Sequence, residues 1–161
     1  MRVKTAFLFL SAVALAVAAS AETKASGTVT CKQDPVTPVA VGDQPGHAMA
    51  VSKALCTWAK FEIAGVPSKD GVSVSLDEIN DDKSTSNGYH TATLASGDKA
   101  AAHFHGTATS KDGKFQSGGG TWTFTSGTGK CKGIKGKGTF KGTPNADGNV
   151  TYQVDGEYQL P

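Results

Sequence analysis

Arginine is all but missing from this chain. Its single instance, Arg2, stands at the extreme N-terminus, so the remainder has no guanidinium with which to grip phosphates or base edges bidentately. Apolar runs are missing after residue 19, which excludes a membrane-crossing helix of about 20 residues from the body of the chain. The pattern Gly-x-x-x-x-Gly-Lys-Ser/Thr is absent, and no strand, loop and long helix follow the glycine-rich lysine run, so a phosphate loop is not supported. No motif with a fixed spacing announces a nucleophile, a base and an orienting partner. The sequence describes a shape more fully than a reaction.

What is present begins with an export pattern. Arg2 and Lys4 precede an apolar run over residues 6–19, followed by Ala19-Ser20-Ala21, a small-x-small cleavage signal. Residues 1–21 are therefore expected to be a secretory signal peptide, and residues 22–161 a single domain that works in the periplasm or outside the cell. Removing Arg2 and Lys4 from the 16 basic residues leaves 14 lysines against 14 Asp plus Glu, so the mature chain is close to neutral. A chain of about 140 residues can bury roughly two thirds of its unfolded surface, so no metal or cofactor is required for folding, and none is expected.

The 20 glycines, with dense Thr and Ser and few long aliphatics, argue for an all-β fold, because glycine costs about 1 kcal/mol relative to alanine inside a helix. Period-two alternation supports this. Tyr152, Val154 and Tyr158 share one face of a strand, with Thr151, Gln153, Asp155 and Glu157 on the other; Trp122 and Phe124 share a face, as do Val72, Val74 and Leu76. Each apolar face is expected to turn toward one core. Hairpin signals stand at Asp70-Gly71, Asn87-Gly88, Gly97-Asp98, Asp112-Gly113 and Asp147-Gly148. Candidate strands near 26–32, 56–63, 70–79, 88–95, 100–109, 119–126, 136–142 and 149–159 make an antiparallel meander of roughly eight strands, enough to close a small β-barrel, with an open sandwich as the alternative.

Three stretches carry a family likeness: Thr121-Trp-Thr-Phe-Thr, then Ser126-Gly-Thr-Gly-Lys-Cys-Lys-Gly-Ile-Lys-Gly-Lys-Gly-Thr-Phe, then Val150-Thr-Tyr-Gln-Val-Asp-Gly-Glu-Tyr. Together they resemble the C-terminal half of secreted bacterial proteins of the allene oxide cyclase barrel-like group, which is in turn similar to dirigent proteins. The resemblance implies a barrel around an apolar cavity that steers cyclisation of an unstable epoxide or coupling of phenolic radicals, and, since both kinds tend to trimerise, it implies a homo-oligomer. None of that group's catalytic residues maps onto this chain, and Cys131 stands where the pattern usually has a bulky apolar residue. Independently of the resemblance, Cys131 and Ile134 are three apart, suited to one helical turn that presses both inward, with glycines permitting the reversals around it.

Four groups of side chains are candidates for chemistry. Of the three cysteines, Cys31 and Cys56 flank the Pro- and Gly-rich segment 35–46 and are expected to form a disulfide, leaving Cys131 buried and inert; a Cys131 nucleophile activated by Lys130 and Lys132 is the rival. Lys130, Lys132, Lys135, Lys137 and Lys141 form a basic run read as a solvated face and not as a nucleic-acid surface, since arginine is missing and net charge is near zero. His103 and His105, at i and i+2 on a strand, point to one face and are the weak candidates for a metal site, although two ligands make no site; the alternative puts them on a partly wet face opposite Ala102, Phe104 and Ala108. Tyr89-His90 is a lesser acid–base candidate. Trp58, Phe61, Trp122, Phe124 and Tyr152 either fill a core or line an apolar cavity.

Three functions fit these residues. The foremost is an exported barrel that binds a small apolar or aromatic molecule in its lumen, with Trp122, Phe124, Tyr152, His103 and His105 as candidate ligand contacts. The second is an enzyme of the cyclase or dirigent kind that confines a reactive intermediate, which needs an ordered polar group inside the lumen. The third is a structural envelope protein with a solid interior.

Overall fold

The computed structural model describes residues 22–161; the expected signal peptide lies outside them. The chain runs through β1 (Thr23–Gln33), β2 (Val39–Ala40), β3 (His47–Ala59), β4 (Glu62–Ile63), β5 (Val66–Asn80), β6 (Lys83–Leu94), β7 (Lys99–Lys111), β8 (Lys114–Gly127), a 3-10 turn at Gly129–Cys131, β9 (Lys135–Pro144) and β10 (Val150–Gln159). Among these residues there is no α-helix. The eight long strands pair antiparallel in the cyclic order β1-β3-β5-β6-β7-β8-β9-β10 and back to β1, so the sheet closes into a barrel with no free long edge. The two-residue β2 and β4 are side pairings onto β3 and β5.

Closure makes the two ends different. At one end lie the connections over 60–65, 95–98 and 128–134, and there the barrel is plugged: Ile63, Leu94 and Cys131 are at most 1% exposed, with Phe61, Ile134, Ala100 and Tyr158 packed around them. Backbone bonds hold the plug in place. The Thr128 N–H donates to Lys99 O at 2.8 Å, the Cys131 N–H to Thr128 O at 2.8 Å and the Ile134 N–H to Cys131 O at 3.0 Å. The Lys130 N–H reaches Asp98 Oδ2 at 3.2 Å, and the Ala64 N–H donates to the Tyr158 hydroxyl at 3.0 Å. Cys131 is a free thiol inside this plug, and burial raises its pKa, with the Asp98 charge adding to the effect. A thiol held in its neutral form is a packing group. The opposite end, with connections over 34–46, 81–82, 112–113 and 145–149, carries the mouth.

The sequence-based strand list matches eight strands, but three details differ. The third strand in chain order begins at His47, so Cys31 and Cys56 are direct cross-strand partners in β1 and β3 and are bridged as expected. Asp70-Gly71 and Asn87-Gly88 are not turns. They lie within β5 and β6, while the reversal between those strands uses Asp81 and Asp82, with Asp81 at φ 51°, a left-handed conformation that aspartate tolerates. The third difference is the face of β5. Val72, Val74 and Leu76 are 38%, 46% and 52% exposed, whereas Ser73, Ser75 and Asp77 point inward. Their apolar side does not meet the core, because the register of β5 against β3 puts Ser75 opposite inward-facing Ser52 and Gly71 opposite inward-facing Cys56.

The Cys31–Cys56 bridge spans 25 residues. Breaking it is expected to lower stability by about 3 kcal/mol through restored freedom of the unfolded chain, read as a fall in the denaturant midpoint when a reductant is added. An unchanged midpoint with both thiols demonstrably free would contradict that role.

Candidate ligand-binding lumen

Inward-facing side chains above the plug leave a cavity of about 480 Å³, within the range of small-molecule sites. Its lining divides by chemistry. On β7 to β10 the wall is aromatic: Phe104, Phe115, Trp122, Phe124, Phe140 and Tyr152. These rings brace one another edge to face, with Trp122–Phe124 centroids at 4.9 Å, Phe140–Tyr152 at 5.8 Å and Phe104–Phe140 at 6.1 Å. The Trp122 indole N–H donates to Thr139 O at 3.3 Å, which fixes the ring against the wall.

On β3, β5 and β6 the wall is polar: Ser52, Ser73, Ser75, Asp77, Ser84, Ser86 and His90. Two groupings organise it. Near the mouth, the Ser52 hydroxyl donates to Asp77 Oδ2, and Asp77 Oδ1 is buried with no hydrogen-bond partner. Deeper, the Trp58 indole N–H donates to His90 Nε2 at 3.1 Å, and His90 Nδ1 lies 2.8 Å from Ser73 Oγ. An indole nitrogen only donates, so Nε2 must accept, and the imidazole is neutral with its proton on Nδ1 directed at Ser73. Burial agrees with this tautomer, lowering the His90 pKa from 6.5 to about 4. Trp58 stacks on Phe61 at 4.5 Å and closes the floor beneath His90.

Gly71 explains how the imidazole fits. A Cβ on Gly71 would lie 2.5 Å from both His90 Cε1 and Nε2, so the ring rests on the bare backbone of β5. The glycine of the supposed Asp70-Gly71 turn is a seat for a side chain on the next strand.

Tyr152 faces inward on the aromatic side, and burial raises its pKa, with the Asp77 charge pushing in the same direction. The phenol therefore stays protonated and can donate into the lumen.

The candidates from the sequence separate cleanly. Trp58, Phe61, Trp122, Phe124 and Tyr152 line the cavity together. His103 and His105 face outward on β7: His103 Nε2 is 2.5 Å from Asn87 Oδ1 and its ring packs against Tyr89 at 5.1 Å, while His105 is exposed. The lumen does not bring them to Trp122, and among the described residues no three His, Cys, Asp or Glu side chains gather as a metal site. Of the polar wall, the sequence singles out only His90, as an acid–base candidate paired with Tyr89, and Tyr89 faces outward. The wall's sequence signal is the alternation Val72-Ser-Val-Ser-Leu-Asp77, which shows two faces without saying which is inside.

An open depression of about 650 Å³ also lies on the outer face of β1, β10, β9 and β8, rimmed by Lys24, Lys137, Asp155 and Glu157. Its rim is solvated, with Lys24 Nζ and Glu157 Oε2 paired at 2.8 Å, and it lacks the enclosure that the lumen offers. The basic run, Lys130 and Lys132 at the 3-10 turn and Lys135, Lys137 and Lys141 on β9, is likewise exposed. No described helix is long and apolar enough to cross a membrane.

Fold and lumen thus define a class: a closed, eight-stranded antiparallel barrel with one plugged end and a two-sided interior. No protein-family model matches the chain, and no curated protein matches it. Among solved structures it is similar to pyocyanin demethylase, with a TM-score of 0.42 and 17% sequence identity over 81% of this chain and 98% of that one.

His90 gives the site a pH signature. Because the folded protein binds this proton less readily than the unfolded chain, its contribution to stability is full above about pH 6.5 and is lost as pH falls from there toward 4, by about 3 kcal/mol in all. Thermal melts between pH 7 and pH 4 should show this fall, and His90→Gln, which keeps an acceptor for the Trp58 N–H, should flatten it. An equally steep fall in the variant would assign the effect elsewhere.

Proposed function

We propose that this barrel binds a small, flat, mostly apolar molecule in its lumen, lying along the aromatic wall with one hydrogen-bonding end against Ser52, Ser75 and Asp77. The observation that carries this reading is the division of one 480 Å³ cavity into an aromatic wall and a facing polar wall. A structural barrel would gain most by filling its interior with aliphatic side chains. Here the interior has eight aromatic rings, counting Trp58 and Phe61 at the floor, and a row of serines too short to cross the space. Rings offer large contact area at little entropic cost, and serines supply donors and acceptors that turn to suit a ligand.

The resemblance of the 121–158 stretch to the allene oxide cyclase barrel-like group is in keeping with an apolar cavity. Export to an oxidising compartment is part of the same proposal, in keeping with the Cys31–Cys56 disulfide. A second reading, confinement of a reactive intermediate, draws on one specific feature: the ordered Ser52–Asp77 and Ser73–His90 pairs supply polar groups opposite the aromatic wall of a partly enclosed cavity. The two readings share the binding step and part at whether the bound molecule leaves changed.

Binding is tested with 1-aminoanthracene, whose fluorescence rises in apolar surroundings. The wild-type protein should give saturable, one-site binding, and Ser75→Phe, which puts a ring into the cavity from the polar wall, should weaken it at least tenfold. Thr121→Phe on the outer face should leave it unchanged. Unsaturable uptake, or equal binding by Ser75→Phe and wild type, would refute a lumenal site.

A further inference from the structure

The reversal of β5 has a consequence on the outside of the barrel. Every large apolar side chain that is exposed among the described residues lies on β3, β5, β6 or the β2 segment beside them. The centre of the patch is a lattice of cross-strand neighbours: Val51 opposite Leu76, Leu55 opposite Val72, and Val74 opposite Tyr89. Val51 is 71% exposed and Tyr89 55%. Elsewhere the outer faces carry Thr, Lys, Ser, Asp and Glu, as in Thr121, Thr123 and Thr125 of β8 or Lys137, Thr139 and Lys141 of β9.

We infer that this face packs against the same face of a second copy of the chain. Three observations favour that occupant. The first is size: with neighbouring Val39 and Val41, eight large apolar residues stand exposed on this side of the barrel, and their summed exposure, backbone included, is on the order of 700–800 Å², close to one partner's share of a standard interface. The second is charge. Of the bases at the lattice, Lys53 at its centre has Asp34 Oδ2 at 3.8 Å, and Lys32, opposite Leu55, stands at its β1 margin, so two copies can meet without an uncompensated like-charge contact at the centre. Asp70 and Glu78 bracket the β5 stripe, which disfavours an anionic membrane surface as the occupant. The third is closure. A barrel with no free long edge cannot associate by strand addition, so association must use a face, and a patch that meets itself is satisfied by two copies related by a two-fold axis.

The mature protein should therefore elute and scatter light as a dimer at micromolar concentration, and Val74→Lys with Leu76→Glu should reduce it to a monomer that keeps the wild-type far-ultraviolet circular dichroism. Thr139→Lys, on a polar outer face, should remain dimeric. Should the double variant fail to fold, a short lysine-reactive cross-linker on the wild-type protein gives an independent readout: peptide mapping should recover Lys53 joined to Lys53 between chains. A wild-type monomer at every concentration, a ring of three or more copies, a dimer indifferent to the two substitutions, or a dimer without the Lys53 link would overturn the inference. So would a monomer that floats with phosphatidylcholine vesicles, which would identify lipid as the occupant.

Discussion

The pairing of β1 with β3, clamped at Cys31 and Cys56, sets the orientation of nearly every side chain in the barrel. Directly opposed residues in an antiparallel sheet share a face, so one pair whose face is known propagates around a closed sheet. Cys31 and Cys56 are buried, and from them the ladder passes inward through Gly71, Ala92, Ala100 and Gly127. Irregularities between Ser68 and Asp70, between Ala101 and Ala102, and between Thr109 and Ser110 adjust the register locally, bending strands where the barrel curves. The covalent bridge thus lies on the same ladder that decides which half of each alternating strand sees the lumen.

That ladder explains what the sequence could and could not disclose. The eight-stranded barrel, the disulfide, the inward Cys131–Ile134 turn and the shared face of Trp122 and Phe124 were all legible, because each depends on local period or on the chemistry of a few residues. The polar wall was not. Val72-Ser-Val-Ser-Leu-Asp77 alternates without fault, and hydrophobicity alone assigns the valines to the core. The assignment fails because β5 is bound on both sides by strands whose faces are already fixed, and sliding it by one residue would break both ladders at once. Tertiary pairing overrides local pattern at the point where the cavity acquires its hydrogen-bonding groups.

The glycines taught a related lesson. Asp-Gly and Asn-Gly are good hairpin signals because both residues tolerate positive φ, and Asp112-Gly113 does form such a turn, with φ of 52° and 70°. Gly71 and Gly88 serve a different need. At Gly71 the His90 ring occupies the space a side chain would take, and at Gly88 the backbone of Val74 and Ser75 does. A sequence lists the absence of a Cβ without saying whether the freedom gained is conformational or spatial.

The two faces of β5 cannot be altered independently. Side chains alternate at every residue, so placing Ser73, Ser75 and Asp77 inside compels Val72, Val74 and Leu76 outside. Replacing the outer valines by polar residues would make a more soluble wall at no cost to the lumen, yet the chain retains three branched aliphatics there, beside Val51 and Leu55 on β3. Inside, aliphatic residues in place of the serines would pack the barrel shut and raise its stability. Neither simplification is present. The strand holds polar groups where packing favours apolar ones and apolar groups where solvent favours polar ones, an arrangement that makes physical sense when both faces meet something other than this chain's own core and bulk water.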